Sequence, residues 1–299
     1  MENKTILIAG ATGFIGKALI SELVKSFKVK VLTRQKDLTN SDKEKFFYWN
    51  PDKKEIDLKA LENVTHIINL CGAGIVDKRW TKERKQELLS SRVEPAKLLF
   101  SKIDLMPNLE QYITASGINC YDINKMDGNQ QHLFVETDEM ASDYVSLLVK
   151  SWEETADLFQ GKCKVVKLRI SFVISERAKG ILQIEKLIKS GFGSVIGSGK
   201  QAMPWIHLSD LIRLFDYCIK QNLDGIYHAI SGNTANNELT HLLAKKNQKI
   251  IFLPNVPAFI LKLILGELSV LVLTGIKASN AKILYEGFTF NYKKIEDCF

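Results

Sequence analysis

The sequence predicts an α/β fold in which a doubly wound parallel sheet is joined to a smaller C-terminal lobe. Short apolar runs alternate with amphipathic stretches over residues 1–170, and this alternation is typical of a sheet built from βαβ units. A glycine-rich segment directly follows the first apolar run. With 299 residues, 45% of them hydrophobic, the chain can bury a large core, which excludes a disordered or collagen-like protein.

The strands predicted for this sheet are short runs rich in apolar and β-branched residues. Thr5–Ala9 (TILIA) is the first, and its continuous apolarity is expected of a strand that is buried on both faces. Further strands are predicted at residues 29–33, 46–49, 65–70, 110–115 and 164–170. Their order gives a Rossmann-like progression of six strands.

Helices are predicted where apolar residues recur at helical spacing between these strands. The first covers residues 13–26, in which Phe14, Ala18 and Leu19 repeat on one side. A second helix is predicted at 82–93 and a third at 96–103, because Pro95 is expected to interrupt the chain between them. A fourth, amphipathic helix is predicted at residues 143–159.

After residue 170 the sequence pattern changes. Four glycines between residues 191 and 199 crowd one loop, which is interpreted either as a flap over a pocket or as a surface loop. Helices at 209–220 and 236–245 flank a strand at 225–230. Lys262 and Glu267 interrupt the most apolar late stretch, so we interpret that stretch as packed helices rather than a membrane span.

The net charge of +7 and the pI of about 9.0 raise the question of acidic partners. The lysines are spread along the chain, and no basic run is interleaved with aromatic residues. We therefore predict neither a nucleic-acid nor a membrane partner, but a lysine-rich surface. Its positive field would help to recruit a phosphorylated small-molecule ligand.

The cysteines and histidines indicate a reduced compartment and no metal site. The five cysteines are scattered and form no CxxC pair, so a disulfide framework is not predicted and a cytoplasmic location is expected. A glycine soon breaks the first apolar run, so no signal peptide is predicted. The five histidines show no ligand spacing with each other or with cysteine.

A GxxGxxG motif provides the clearest chemical signal. It directly follows the first strand and opens the first helix, where Gly10 permits a tight turn, Gly13 lets the backbone approach a pyrophosphate, and Gly16 lets helix and sheet pack closely. The start of the helix presents free N–H groups to phosphates. The residues predicted to bind a dinucleotide here are Gly10, Ala11, Thr12, Gly13, Phe14, Ile15 and Gly16.

The end of the second strand predicts which dinucleotide binds. An acidic residue there would bind the ribose 2′-hydroxyl of NAD, whereas an arginine would accept the 2′-phosphate of NADP. The chain reads Thr33, Arg34, Gln35, Lys36 and contains no acid at this point. NADP(H) is therefore favoured over NAD(H), with a solvated basic turn as the alternative interpretation of Arg34.

These residues, together with later motifs, resemble the extended short-chain dehydrogenase/reductase superfamily, and within it the epimerase-like family of YfcH type. The motifs run in order along nearly the whole chain. They are GATGFIG at 10–16, RWT at 79–81, RK at 84–85, SSRV at 90–93, WIH at 205–207 with Asp210, GE at 266–267 and GFTF at 287–290.

The resemblance implies about seven parallel strands, a small C-terminal substrate lobe and an epimerase or oxidoreductase activity. It also implies cofactor contacts at Leu70, Cys71 and Gly72, after the fourth strand, and a substrate-polarising serine at the end of the fifth, here Ser116. The superfamily often forms dimers through helices beside the sheet, so a homodimer is an expectation while the oligomeric state stays open.

The catalytic YxxxK pair of the superfamily is absent. Tyr144 is followed four residues later by Leu148, and the two expected positions fall near Val145 and Val149, which cannot move a proton. Tyr121 could supply the proton instead, or could merely line the pocket. The missing pair leaves open a non-catalytic NADP(H)-binding sensor.

Five other side chains are candidates, each with a structural alternative. His207 could act as a general acid or base, or bond a neighbouring backbone group. Trp80 and Trp205 could form walls around a substrate ring, or pack in the core. Arg92 could bind an anionic group of cofactor or substrate, or form a surface ion pair, and Arg169 could position either ligand.

Together these observations predict an NADP-binding Rossmann domain at residues 1–170, whose sheet is completed by part of 225–253, and a mainly substrate-binding lobe at 171–299. The predicted function is an NADP(H)-dependent oxidoreductase or epimerase-like enzyme. Its substrate would be a small carbonyl or alcohol, with nucleotide sugars among the candidates.

Overall fold

The computed structural model describes residues 4–36, 46–122 and 132–299 and confirms the α/β class. Its strands are β1 Thr5–Ala9, β2 Lys28–Thr33, β3 Phe46–Asn50, β4 Glu55–Ile56, β5 His66–Asn69, β6 Gln111–Gly117, β7 Leu133–Phe134, β8 Lys164–Ile170, β9 Phe172–Ile174, β10 Ala202–His207, β11 Gly225–Ala229, β12 Gly232–Ala235 and β13 Lys277–Ala278. Its α-helices are α1 Phe14–Leu23, α2 Lys82–Phe100, α3 Tyr144–Asp157, α4 Lys179–Lys189, α5 Leu208–Lys220, α6 Asn236–Lys246, α7 Ala258–Leu265, α8 Val270–Leu273 and α9 Ala281–Tyr285.

An eight-stranded sheet forms the centre of the molecule, in the order β11-β8-β6-β5-β1-β2-β3-β4. Every neighbouring pair is parallel except the last, because the two-residue strand β4 pairs antiparallel with β3. The strand at the opposite edge, β11, comes late in the chain and pairs in parallel with β8. This arrangement brings the carboxyl ends of β1, β5, β6 and β8 to one edge of the sheet, where ligands bind in folds of this type.

Apolar layers cover both faces of the sheet. Along β1, Ile6 and Ile8 pack in a cluster that includes α1 and α5, whereas Leu7 and Ala9 pack in a second cluster with α2 and α3. Side chains of a strand alternate between the two faces, so burial on both sides requires the continuous apolar run that TILIA provides.

Helix α2 differs from the sequence-based expectation of two helices separated at Pro95. It is continuous from Lys82 to Phe100, and Pro95 lies inside it. Residues on both sides of the proline, Leu88 before it and Leu98 and Leu99 after it, are buried against the protein. This packing outweighs the loss of one backbone hydrogen bond, so the helix continues through the proline.

A smaller lobe is built from short sheets and the later helices. It contains a three-stranded sheet in the order β12-β10-β9 and a two-stranded pairing of β13 with β7. Helices α4 and α6 pack on the buried Trp205 of β10.

The late apolar stretch forms short helices, as expected, but its first helix, α7, is not buried. Although its sequence is AFILKLIL, none of its residues is buried. Within the described ranges, no helix is both long and apolar enough to cross a membrane.

Candidate functional site

The glycine motif occupies the loop between β1 and α1, and its first glycine is fixed by close contact with a neighbouring strand. Gly10 has φ +77°, a conformation that side chains rarely adopt. A Cβ atom there would lie 2.6 Å from the carbonyl carbon of Leu70 and 2.8 Å from the nitrogen of Cys71. The loop can therefore approach the end of β5 only because residue 10 is glycine.

The third glycine of the motif fixes the start of helix α1. A Cβ atom at Gly16 would lie 2.5 Å from Cα of Ala11, so only glycine lets the helix pack against the loop. The helix begins at Phe14, and its first-turn N–H groups have no partner within the helix. Thr12, Gly13 and Phe14 are exposed there, which leaves the backbone of this turn open to an anionic group.

The residues after β5 form the second side of this loop region. The amide of Leu70 donates to the carbonyl of Ala9 at 2.9 Å, and Asn69 Oδ1 accepts from the amide of Cys71 at 3.1 Å. Burial raises the pKa of the Cys71 thiol to about 12, although the charge of Arg34 opposes this effect. The Cys71 thiol is therefore uncharged at neutral pH. The segment Leu70 to Gly72, which the sequence predicts to contact the cofactor, lies directly beside the glycine turn.

Arg34 lies at the end of β2, where the side chain is largely exposed. Its Nη1 is 4.0 Å from Oδ2 of Asp52, and the side chain of Arg34 is 72% exposed. The ammonium of Lys36 lies 5.2 Å from the ring centroid of Tyr48. An exposed guanidinium with one distant carboxylate keeps most of its donors available for a phosphate.

Arg92 is buried, so the interpretation of this residue as a surface ion pair is wrong. Its guanidinium donates to the carbonyls of Leu88 at 2.9 Å and Ala73 at 3.1 Å, and it lies 4.8 Å from the ring centroid of Trp152. Burial lowers the pKa of Arg92 to about 10. The loop that follows Gly72 is thus bonded to a buried cation, which places positive charge next to the predicted cofactor segment.

Ser116, Arg169 and His228 form a row across three adjacent strands. Ser116 of β6 is paired in register with Arg169 of β8, and Arg169 is paired in turn with His228 of β11. All three side chains are buried. The parallel register therefore brings together residues that are more than 50 positions apart in the sequence.

Glu153 of α3 bonds two members of this row. Its Oε1 accepts from Ser116 Oγ at 2.6 Å and from Arg169 Nε at 2.9 Å, and its Oε2 accepts from Arg169 Nη2 at 3.0 Å. Sequence reasoning missed Glu153. The available signal was Arg169, a charged residue within a buried strand, because a buried charge requires a partner.

Tyr121 is held between Arg169 and His228. Its hydroxyl accepts from Arg169 Nη1 at 2.6 Å and contacts His228 Nε2 closely. Because His228 Nδ1 lies 2.7 Å from the carbonyl of Ser279, Nδ1 carries the proton and Nε2 accepts from the tyrosine. Burial raises the pKa of Tyr121, so the phenol stays protonated. Its hydroxyl is committed to internal contacts, which favours the structural interpretation of Tyr121.

The helix face that would carry the YxxxK pair is apolar. Val145 and Val149 of α3 are both buried, and Val149 Cγ2 would lie 3.2 Å from a Cβ at Gly117. The helix begins after Asp143, whose Oδ1 accepts from the amides of Val145 and Ser146. The ionisable side chains of this region therefore lie on the sheet and at Glu153 rather than at the two positions of the expected pair.

The remaining candidates take structural positions. His207 Nδ1 accepts from the amide of Ser209 at 3.3 Å at the start of α5, and its ring stacks on Tyr292 with centroids 3.7 Å apart. Trp205 is only 2% exposed and packs in the core of the smaller lobe, which favours core packing over contact with a substrate. Trp80 is partly exposed and donates to the carbonyl of Ile75 at 2.9 Å.

No group of three or more histidine, cysteine, aspartate or glutamate side chains within residues 4–36, 46–122 and 132–299 is placed to hold a metal ion.

Two family models match this chain. The NAD-dependent epimerase/dehydratase family matches residues 6–231, and a domain of unknown function, DUF1731, matches residues 256–299. Epimerase family proteins are among the curated relatives. One from Staphylococcus haemolyticus is 30% identical over 99% of this chain and 98% of its own length, and one from Mycobacterium bovis is 32% identical over 75% and 72%.

Solved structures share the fold. A human epimerase family protein, crystallised with NADPH, superposes with a TM-score of 0.85 at 23% identity, covering 98% of this chain and 97% of its own. The UDP-N-acetylglucosamine 4-epimerase of Bacillus cereus has a TM-score of 0.74 at 13% identity, covering 99% and 93%. At these identities the structures support the fold.

Proposed function

The chain belongs to the NAD-dependent epimerase/dehydratase family, and from this premise we propose that it is an NADP(H)-dependent oxidoreductase or epimerase-like enzyme. Its substrate would be a small carbonyl or alcohol, with nucleotide sugars among the candidates. Membership in the family agrees with the resemblance that the sequence motifs predict.

The fit of the glycine turn is the observation that carries the proposal. Gly10 and Gly16 lie where any Cβ atom would collide with backbone, and the open helix start between them suits a diphosphate. Leu70, Cys71 and Gly72 would flank the cofactor on the side of β5. When bound, a nicotinamide dinucleotide supplies the hydride donor or acceptor.

We assign the preference for NADP(H) to Arg34. Its guanidinium is exposed at the end of β2, where no residue of the segment 31–36 is acidic. Such a group suits the doubly charged 2′-phosphate, because a guanidinium presents several donors in a fixed plane. The NADPH of the human relative's crystal is consistent with this preference.

Ser116 and Glu153 provide a route for one proton. Because Ser116 donates its hydroxyl proton to the Glu153 carboxylate, the lone pairs of Oγ are left to accept from a substrate hydroxyl. Ser116 Oγ can accept a proton from the substrate hydroxyl while its own hydroxyl proton passes to Glu153 Oε1. Arg169 would be the positioning residue, since it fixes both carboxylate oxygens.

We also propose a cytoplasmic location, on the state of the cysteines. The five cysteines are free thiols, which supports a reduced compartment.

A homodimer through α2 and α3 is also proposed. A groove of about 500 Å³ is lined by residues of both helices and by Trp80, and Leu147 in this lining is 51% exposed.

The decisive experiment follows NADPH oxidation with a panel of small aldehydes, ketones and nucleotide sugars. We expect turnover with at least one member, and a loss of about 10²- to 10⁴-fold in Ser116→Ala with NADPH affinity unchanged. Ser101→Ala, at an exposed hydroxyl after α2, is the matched control. If the folded protein binds no pyridine nucleotide, the proposal is refuted.

A second candidate is a sensor that binds NADP(H) without turnover. The buried Val145 and Val149 favour it, because they leave no ionisable pair on the usual face of α3. Tight NADPH binding, no turnover with any member of the panel, and a Ser116→Ala variant with unchanged ligand binding would support the sensor.

A further inference from the structure

One surface of the smaller lobe exposes large apolar side chains, and we call it the basic apolar face. It is formed by residues 186–200 and 245–266. Six of its large apolar side chains are between 60% and 84% exposed. They are Phe192, Ile250, Phe252, Phe259, Leu263 and Ile264.

Backbone contacts hold the two segments side by side. The amide of Val256 donates to the carbonyl of Val195 at 2.8 Å, and the amide of Gly197 donates to the carbonyl of Val256 at 2.9 Å. Ser194 Oγ donates to the carbonyl of Pro254 at 2.6 Å. The two segments that carry the exposed apolar side chains are therefore adjacent in the fold.

Helix α7 contributes three of the six most exposed apolar side chains of this face. Phe259, Lys262 and Leu263 lie on one side of the helix, at the spacing of three and four residues that brings side chains together. All three are exposed, and no residue of the helix is buried. A helix of this apolarity would normally be packed inside a protein, so its exposed side chains indicate a surface that contacts something else.

Lysines outnumber carboxylates on and around this face, where the two adjoining glutamates, Glu185 and Glu267, are both paired with lysines. The two segments contain seven lysines and neither aspartate nor glutamate. Lys189 and Lys246 are paired with Glu185 of α4, at 3.6 and 3.2 Å. The other five are exposed and form no ion pair with any residue that the structure describes. They are Lys186, Lys200, Lys245, Lys249 and Lys262.

We propose that the basic apolar face docks the protein on an anionic lipid surface. Exposed phenylalanines and leucines would insert shallowly between the lipids, while the surrounding lysines would contact the anionic headgroups. A second copy of the chain suits the face less well, because a two-fold contact would bring together two faces of like positive charge. This proposal departs from the sequence-based prediction that no membrane partner exists, because that prediction rested on the scatter of lysines along the chain.

The test is co-sedimentation of the purified full chain with vesicles of phosphatidylcholine alone or of phosphatidylcholine mixed with phosphatidylglycerol. We expect binding to the anionic vesicles only, weakened by added salt. Each lysine removed in Lys249→Gln and Lys262→Gln should lower the affinity about fivefold. Phe259→Glu with Leu263→Glu should lower it about tenfold or more for each apolar side chain replaced.

Matched controls lie outside the face, in the short helical turn Leu58–Ala60 before β5. Leu58 is 54% exposed and Lys59 is exposed beside it, so Leu58→Glu and Lys59→Gln change the same residue types outside the face. These controls should bind vesicles like the unsubstituted chain. Circular dichroism and NADPH affinity report whether each variant is folded.

Three outcomes would overturn the proposal. The folded chain could fail to sediment with anionic vesicles, or the variants of α7 could bind them as well as the controls do. Alternatively, a concentration-dependent dimer that dissociates in Phe259→Glu with Leu263→Glu, without vesicle binding, would identify a second copy as the occupant of the face. None of these readouts depends on turnover, so they are separable from the proposed enzymatic function.

Discussion

Arg169 and Glu153 form a bidentate ion pair that is buried at the carboxyl end of the central sheet. Arg169 Nε lies 2.9 Å from Oε1 of Glu153, and Nη2 lies 3.0 Å from Oε2. Burial alone would lower the pKa of Arg169, but the hydrogen bonds and charge of Glu153 outweigh it and raise that pKa. Ser116 bonds the carboxylate and Tyr121 bonds the guanidinium, so the pair determines how both hydroxyls are oriented.

Breaking this pair should strongly destabilise the fold. Glu153→Ala leaves the Arg169 charge buried without its partner, and we expect the free energy of unfolding to fall by about 3–5 kcal/mol. Urea denaturation followed by circular dichroism measures the change. The double variant Glu153→Leu with Arg169→Met removes both charges and should cost less than the single change. A loss below about 1 kcal/mol in Glu153→Ala would show that the pair is not a structural determinant.

The fold could be predicted largely because buried parallel strands leave a local signal. Both ends of Thr5–Ala9 and Lys164–Ile170 agree with the sequence-based prediction, since a strand covered on two faces must be a continuous apolar run. Glu55–Ile56 was missed because a two-residue edge strand carries no periodicity. The break expected at Pro95 was wrong because packing on both sides of the proline, which is not a local property, holds α2 together.

The glycine turn and the cluster around Ser116 and Arg169 also differ in how far the sequence could predict them. The glycine turn could be located from the sequence because its three glycines fall within seven consecutive residues directly after a buried strand. Glu153 and His228 could not be, since strand register and the packing of α3 bring them to Ser116 and Arg169 from distant positions. Only the charge of Arg169 inside an apolar strand indicated that a buried partner existed.

Replacing Gly10 should abolish cofactor binding because the new side chain would collide with the backbone of Leu70 and Cys71, in addition to straining its own backbone. Gly10 and Gly161 have nearly the same φ, +77° and +76°, but only Gly10 has backbone atoms within 3 Å of a built Cβ. Gly161→Ala should therefore cost only about 1–2 kcal/mol and leave NADPH binding intact. Gly10→Ala should displace Leu70, cost more and remove NADPH affinity in a fluorescence titration. Equal effects in the two variants would mean that the contact with Leu70 is unimportant.

Removing the Arg34 guanidinium should weaken NADPH binding selectively. A hydrogen-bonded charge of this kind contributes about 1.5–3 kcal/mol, so Arg34→Gln should raise the Kd for NADPH about 10- to 100-fold and leave that for NADH nearly unchanged. Lys53→Gln, an exposed cation of the same neighbourhood, controls for general charge. The assignment fails if Arg34→Gln weakens both nucleotides equally, or if the unsubstituted chain binds NADH more tightly.

His66 should make the protein less stable in mild acid. Burial, assisted by the charge of Lys4, lowers the pKa of His66 from 6.5 to about 4. Between these values the unfolded chain binds a proton that the folded chain does not, so stability is fully present above pH 6.5 and decreases as the pH falls towards 4. The loss attributable to this side chain is about 3 kcal/mol.

Urea denaturation at a series of pH values between 7 and 4 tests this expectation. The slope of unfolding free energy against pH should be smaller in His66→Gln than in the unsubstituted chain, whereas His241→Gln, on the exposed side of α6, should keep it. Burial also lowers the pKa values of His207 and His228, so His66→Gln should retain part of the slope. Parallel slopes in His66→Gln and His241→Gln would show that His66 is already charged in the folded protein, which its complete burial beside Lys4 makes unfavourable.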